Sequence, residues 1–411
     1  MTNDASSGTS ARNSGVGRRN FMVGTAATGA ALAVGLKAPA ILAQTRGPLK
    51  VGCLLPFSKF YAVLGQTNVN GMSLYFDQIG WEIAGRKIEL IKEDDEVNPQ
   101  VGLQKLKKLV ESNQVDFVCG PVGSNVALAI LDYVRQSKAF LLVSSAGITS
   151  LSQQRLPYMF RTSTSSLQHN MPMGEWVYNN KAKEVVLIAS DFAGGRDCMN
   201  EFKGRFLAVG GKVIKEIWPP LGTNDYSSYI GEIRAAKPQA VFSFFAGTDA
   251  VRFVKQYADF GLKAKIPLMG SGFMVESDTL PAQGDAALGI ISSLHYAETL
   301  DNPENVAFVK AFHAKHREYP SCYTEYGYVT ARVIHEALKT TDGNATDKDK
   351  LAAAVADVAF DAPRGPFSFD PETHNVIHNT YIREIVKQDG RLTNRVLATI
   401  EKVRDPGEKP A

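Results

Sequence analysis

From Leu49 onward, short runs rich in Val, Ile and Leu alternate with longer stretches of helical spacing, and this alternation restricts the fold more than any other feature. Strands separated by helices do not pair as hairpins; they lie parallel, with the helices covering both faces of the sheet. Strands are predicted at 49–55, 87–93, 115–119 and 139–143, with helices at 66–80, 99–113 and 125–137 between them. In the second helix Val101, Leu103, Leu106, Leu109 and Val110 return on one side, the period of a segment buried along one stripe. Lys105, Lys107 and Lys108 read as its solvated face.

After Phe160-Arg161-Thr162-Ser163 the pattern begins again, with strands predicted at 184–189, 212–217, 239–245 and 266–269 and helices at 196–209, 226–236 and 248–260. A chain of 411 residues exceeds the roughly 250–300 at which one core stops growing. The restart without sequence repetition therefore implies two similar lobes and not a repeat array. The remainder supplies a strand at 290–294, helices at 303–319, 324–340 and 347–358, and an antiparallel pair at 367–369 and 379–386. That is too little for a lobe of its own, so the chain crosses between lobes more than once. No Gly/Ser-rich or Pro-rich linker separates the halves, which implies a hinge and not a tether.

The first residues carry a different signal. Gly17-Arg18-Arg19-Asn20-Phe21-Met22 precedes a weakly apolar Ala/Gly-rich stretch at 23–36, then Lys37 and Ala38-Pro39-Ala40-Ile41-Leu42-Ala43. This pattern is that of a twin-arginine secretory signal cleaved after Ala40 or Ala43. It is shorter and less apolar than the ~20 residues of a membrane span, and no Cys at the cleavage point offers a lipid attachment site. The expected product diffuses freely in the periplasm. Arg12, Arg18, Arg19 and Lys37 against Asp4 account for the whole net charge of +3, leaving a neutral body with no electrostatic case for nucleic acid.

Catalytic motifs are missing: there is no phosphate loop and no G-x-S-x-G elbow. Gly270-Ser271-Gly272 follows a strand but lacks the third glycine of a dinucleotide fingerprint. His313 with His316, and His374 with His378, have no third ligand near in sequence, so neither a metal nor any other cofactor is expected. Glu93-Asp94-Asp95-Glu96 lies between a strand end and the helix start at Asn98-Pro99, where carboxylates serve as caps. Of the four cysteines, Cys53 and Cys119 lie in apolar strands; buried thiols are expected there, with a bridge as the alternative in an oxidising compartment.

Two strand-to-helix turns stand out. Gly120-Pro121-Val122-Gly123-Ser124 opens a helix, so backbone N–H groups and the Ser124 hydroxyl face an incoming acceptor such as a carboxylate. Ser144-Ser145-Ala146-Gly147-Ile148-Thr149 follows the next strand, and ligands of doubly wound sheets sit outside such strand ends. Plain helix capping is the other reading of both turns.

These turns also carry a family likeness. Pro56-Phe57, Leu64-Gly65, Gly71, Asp94-Asp95 with Asn98-Pro99, Gly120-Pro121 with Ser124, Phe160-Arg161-Thr162-Ser163, Asp191-Phe192, Gly261-Leu262 and Arg364-Gly365-Pro366-Phe367 occur in an order that resembles the type I periplasmic binding proteins of the leucine/isoleucine/valine-binding family. The likeness runs from about Leu49 to Val403. It implies an α/β fold of two doubly wound parallel-sheet lobes joined by a three-crossing hinge: a signal at 1–43, lobe 1 at 48–163 and 296–365, lobe 2 at 164–295 and 366–405, and a tail at 406–411. It further implies a monomer that captures a small molecule without chemistry and delivers it to the membrane permease of an ABC transporter.

By the same likeness Ser124, beside Gly123, and Ala146-Gly147-Ile148 hold a ligand carboxylate, while segments around Asp191-Gly195 (with Phe192 and Gly194), Phe245-Thr248 and Gly270-Phe273 (with Gly272) close over the rest. Three departures bear on the ligand. Ile148 stands where amino-acid binders have a hydroxyl, Gly270-Ser271-Gly272-Phe273 lacks the acid that meets an ammonium, and the aromatic near Gly194 is missing. A buried ammonium without a partner costs several kcal/mol. With Phe57, Phe60, Tyr61, Phe192, Phe245 and Phe273 near strand ends, the expected ligand is an aromatic or apolar carboxylate of the kind taken up by benzoate- and cinnamate-binding relatives. Ordinary core is the other reading of these aromatics. A branched-chain or other amino acid is the alternative ligand, and a ligand sensor or a secreted hydrolase is the rival class.

Overall fold

The computed structural model describes residues 47–407. The segment read as a twin-arginine signal, and residues 408–411 of the tail, lie outside the described residues.

The first lobe runs β1 (Leu49–Leu55), α1 (Ala62–Gln78), β2 (Glu82–Ile83), β3 (Arg86–Asp94), α2 (Pro99–Lys107), β4 (Phe117–Cys119), α3 (Ser124–Ser137), β5 (Leu141–Val143) and β6 (Met159–Arg161). Its sheet has the order β2-β3-β1-β4-β5-β6, parallel apart from the short β2. The second lobe runs α4 (Ser166–Asn180), β7 (Glu184–Ala189), α5 (Ala193–Ala208), β8 (Lys212–Ile217), α6 (Ser227–Ala236), β9 (Ala240–Phe244), α7 (Gly247–Asp259), β10 (Leu268–Ser271), α8 (Leu280–Gln283) and β11 (Ile291–Leu294). Then follow α9 (Pro303–His316), α10 (Cys322–Thr340), α11 (Lys348–Ala356), β12 (Ala359–Ala362), β13 (Gly365–Phe369), β14 (Val376–Gln388) and β15 (Arg391–Val403). The second sheet has the order β12-β13-β14-β11-β10-β9-β7-β8, with β15 paired to β14.

This is the α/β architecture of two parallel-dominant lobes that the alternation demanded. Both faces of each sheet are buried, so successive strand residues go to different cores: Leu49, Val51, Cys53 and Leu55 join one cluster and Leu54 another. The same division sends Val185, Leu187 and Ala189 to one side of β7 and Val186 and Ile188 to the other. Helix starts follow the capping chemistry. Asn98 accepts from the N–H groups of Gln100 and Val101 ahead of Pro99, and Ser165 with Gln168 forms a capping box on α4.

The chain leaves the first sheet after β6, returns after β11 so that α10 packs on α1, and joins the second sheet again through β12 and β13. β15, α4 and the edge strands β2 and β12 carry no clear pattern in the sequence. Cys53 and Cys119 face each other on β1 and β4, yet all four cysteines are free, buried thiols. The acidic run is engaged inside the protein: Glu93 pairs with Lys105 and Lys108, and Asp94 accepts from the N–H groups of Phe57 and Glu96. Among the described residues no helix is long and apolar enough to cross a membrane, and no cluster of three metal-ligating side chains occurs.

Candidate functional site

The parallel strands of each lobe share one order. β3-β1-β4-β5-β6 and β8-β7-β9-β10-β11 are both the 2-1-3-4-5 arrangement, in which the connections part to opposite faces between the first and third strands. The parting opens a crevice at the carboxyl ends of β1 and β4 in one lobe and of β7 and β9 in the other. The two crevices face each other across one cavity, with about 380 Å³ free of protein atoms, mouth included.

The first lobe contributes Tyr61 after β1, Val122 and Ser124 after β4, and Ser145 and Gly147 after β5; Tyr323 arrives on α10. The second contributes Phe192, Gly194 and Cys198 from the start of α5, Phe244 and Ala246 at the end of β9, and Phe273 after β10, with Ser166 at the crossing. No charged side chain is on this wall. Phe192 and Phe244 lie 5.9 Å apart, Phe244 and Phe273 6.0 Å, and Phe273 and Tyr323 5.7 Å between ring centroids, so the aromatics form a continuous lining. The Ser124 and Ser145 hydroxyls have no hydrogen-bond partner among the described residues, whereas Ser166 Oγ accepts from Cys198 Sγ at 3.5 Å. Burial pushes the Cys198 thiol up to about 12, so it is uncharged. Ser124 is also the first residue of α3, whose opening N–H groups carry partial positive charge.

Tyr61, Ser124, Gly147, Phe192, Gly194 and Phe273 were all singled out from sequence and are brought together here. Others are placed elsewhere. Phe245 points to the opposite face of the sheet, packing on Tyr226 and Phe253 at 5.3 and 4.3 Å, and its neighbour Phe244 takes the wall position. The cause is the two-residue period of a strand end. Ala146 and Ile148 are buried in the far-side core, and the Ala146 N–H already donates to the Pro121 carbonyl at 2.9 Å. Within that segment only Gly147 reaches the cavity. Gly123 caps α3 against Val97. A Cβ at Gly272 would run into the Arg383 guanidinium and, at 2.6 Å, Leu294 Cβ, so the position is kept for glycine. Thr248 and Phe60 meet at the rim, where the Thr248 hydroxyl donates to the Phe60 carbonyl at 3.4 Å.

Sequence reasoning passed over Ser166, Cys198 and Tyr323, which are far from the turns in sequence. Phe244 and Ser145 were within its reach, Phe244 by counting alternation and Ser145 because it lies in the hydroxyl-rich turn. The lobes are closed: the Thr149 N–H and hydroxyl both donate to Asp197 Oδ2 on α5, at 2.8 and 3.1 Å.

Comparisons with known proteins agree with this architecture. The Leu/Ile/Val-binding protein homolog 6 of Brucella melitensis is 33% identical over 88% of this chain and 94% of its own length. A solute binding protein of an ABC transporter from Rhodopseudomonas palustris BisB5, solved in complex with 3,4-dihydroxybenzoic acid, is 35% identical with a TM-score of 0.83, covering 88% of this chain and 99% of that one. Another from R. palustris, solved with benzoate, is 34% identical with a TM-score of 0.82, covering 86% and 98%. Residues 48–391 match the profile of one family, and on that match and these identities the chain belongs to the periplasmic binding proteins.

Proposed function

We propose that this protein is the periplasmic substrate-binding component of an ABC importer, reaches the periplasm through a twin-arginine signal, and as a monomer captures a small aromatic carboxylate and delivers it unchanged to its permease. The observation that carries the ligand class is the cavity wall: a lining of aromatic rings without any charged side chain, with two unengaged serine hydroxyls, Ser124 at the N-terminus of α3 and Ser145 in the turn after β5. A carboxylate accepts hydrogen bonds from Ser124, Ser145 and the first N–H groups of α3, while a ring fills the space between Phe192, Phe244 and Phe273. The relatives solved with benzoate and 3,4-dihydroxybenzoate support this reading.

The name of the Brucella relatives favours a branched-chain amino acid as the second reading. Its ammonium would find no carboxylate on the wall, and a buried unpaired cation costs several kcal/mol. Isothermal titration against benzoate, hydroxybenzoates, leucine and glutamate decides between them. Tight leucine binding with no response to aromatic acids sinks the aromatic reading. Ser124→Ala removes a charge-assisted hydrogen bond and should weaken the aromatic acid by about 1.5–3 kcal/mol. Mass spectrometry of the ligand recovered after incubation should show it chemically intact.

A further inference from the structure

After β15 the chain turns back to the first lobe. Arg404 Nε and Nη2 reach Asp370 Oδ2 at 2.8 and 2.5 Å, and the Thr373 hydroxyl donates to the Asp405 carbonyl at 3.3 Å, so this segment is tied to the turn between β13 and β14. The anchor sets the fully buried Asp405 side chain against the turn that follows β5. Asp405 Oδ2 accepts from the Ser152 hydroxyl at 2.6 Å, and Oδ1 from the Gly407 N–H at 3.0 Å. Gly407 has a φ of +69°, and a Cβ there would lie 2.7 Å from the Ser152 carbonyl oxygen, so backbone packs directly on backbone. The buried Arg161 completes the group: Nη1 donates to the Ser152 hydroxyl at 3.2 Å and lies 3.7 Å from Asp405 Oδ2, while Nη2 donates to the Ile148 carbonyl at 2.8 Å.

The turn gripped in this way carries two working contacts. Gly147 reaches the cavity, and Thr149 meets Asp197 of the opposite lobe. Between them and Ser152 the backbone is short and stiff: residues 149–151 form one 3₁₀ turn, with the Leu151 N–H on the Ile148 carbonyl at 3.2 Å and the Ser152 N–H on the Thr149 carbonyl at 3.0 Å. A displacement of Ser152 therefore carries Thr149 with it. A buried ion pair adds little stability over apolar residues of the same volume, and an apolar pair would fill this space without fixing the Ser152 hydroxyl or the Ile148 carbonyl. We propose that Asp405 is a positioning residue for the ligand site, holding the 147–152 turn through Ser152 and Arg161 in the place where Gly147 meets the ligand and Thr149 meets Asp197. Asp405 itself does not line the cavity. The proposal rests on the reading of this cavity as the ligand site, and not on the class of ligand.

Titration calorimetry of the intact mature protein with benzoate, 4-hydroxybenzoate and leucine tests this, together with hydrogen exchange of the ligand-free protein. Asp405→Ala should weaken whichever of these the wild type binds by about fivefold or more, the scale of a coupling that acts without ligand contact. Ser152→Ala should do the same, and the double variant should lose no more than the weaker single one, because both act through one link. Asp405→Asn keeps an oxygen for the Ser152 hydroxyl and should recover most of the affinity. In Asp405→Ala the amides of residues 147–152 should exchange faster, while those of β1 and β7 keep their protection. Unchanged affinity in Asp405→Ala overturns the proposal, and so do losses that add in the double variant. Faster exchange throughout the protein overturns it as well, assigning Asp405 to overall stability. A wild type that binds none of the three compounds overturns the reading of the cavity and this proposal together, a result seen before any substitution is made.

Discussion

Asp197 does more than receive Thr149 across the cleft. One turn further along α5 is Glu201, only 9% exposed, with Asp197 and Asp405 as neighbouring carboxylates. Burial, and then the Asp197 charge, push the Glu201 carboxyl up to about 7 from an ordinary 4.5. Burial raises Asp197 as well, against the hydrogen bonds from Thr149 and the nearby Arg161. The folded protein therefore holds a proton between about pH 4.5 and about pH 7 that the unfolded chain has released, so the stability contributed by this group is lost as pH rises through that window. Glu201→Gln should match the wild type in melting temperature at about pH 5 and exceed it at about pH 8, where the wild type carries a buried charge. A difference that stays constant with pH would show that Glu201 does not titrate in this window.

At the scale of elements, the start of α5 decides how far the lobes close. A Cβ at Gly194 would lie 2.8 Å from the Phe192 ring and 3.0 Å from Ser124 Oγ in the opposite lobe. Gly194→Val should act as a wedge, weakening ligand binding by about tenfold or more, the scale of a small overpacking penalty, while thermal unfolding without ligand is little changed. The hairpin of β14 and β15 shows how an element escapes a pattern search. From Arg395 onward β15 alternates between exposed and half-buried residues, and its buried positions Thr393 and Asn394 are polar, so its apolar signal is weak. Its turn was nonetheless marked: Asp389 and Gly390 both have positive φ and bridge the Gln388–Arg391 pair, the geometry for which Asp-Gly is preferred in a two-residue hairpin.

For the molecule as a whole, one buried ion pair gathers the passages between lobes. Glu325 on α10 accepts from Arg364 Nε at 2.8 Å and Nη2 at 2.5 Å, and both side chains are fully buried. Arg364 Nη1 donates to the Thr162 carbonyl on the first passage at 2.9 Å, and His295 on the second lies 3.3 Å from Glu325 Oε2. Burial holds His295 and His378 neutral, with pKa values well below the usual range, helped at His295 by Arg364 and Arg383 and at His378 by the neighbouring His295 and Arg364. Arg364→Met leaves the Glu325 carboxylate buried without its partner and should cost about 3–5 kcal/mol, read as a drop in the urea midpoint. Adding Glu325→Leu to that variant should recover much of the loss, because an apolar pair carries no desolvation penalty. A double variant no more stable than the single one would place the cost in the lost Thr162 contact.

The alternation of apolar runs and amphipathic stretches, a local property, was enough to determine two parallel sheets with helices on both faces. β1 and β7 begin and end at the predicted residues because both faces are buried and their apolar runs stop abruptly, and the edge strand β8 matches its predicted bounds as well. Strand-end turns were legible for the same reason, which brought Ser124, Gly147, Gly194 and Phe192 into view. What no local pattern could decide was which residues meet. Phe244, and not Phe245, faces the cavity because strand twist and register fix the sidedness of each position. Tyr323 reaches the wall from α10 because that helix packs on α1, and Thr248 meets Phe60 across the cleft. Periodicity along a chain records burial; proximity across a cleft arises from tertiary packing between segments nearly two hundred residues apart.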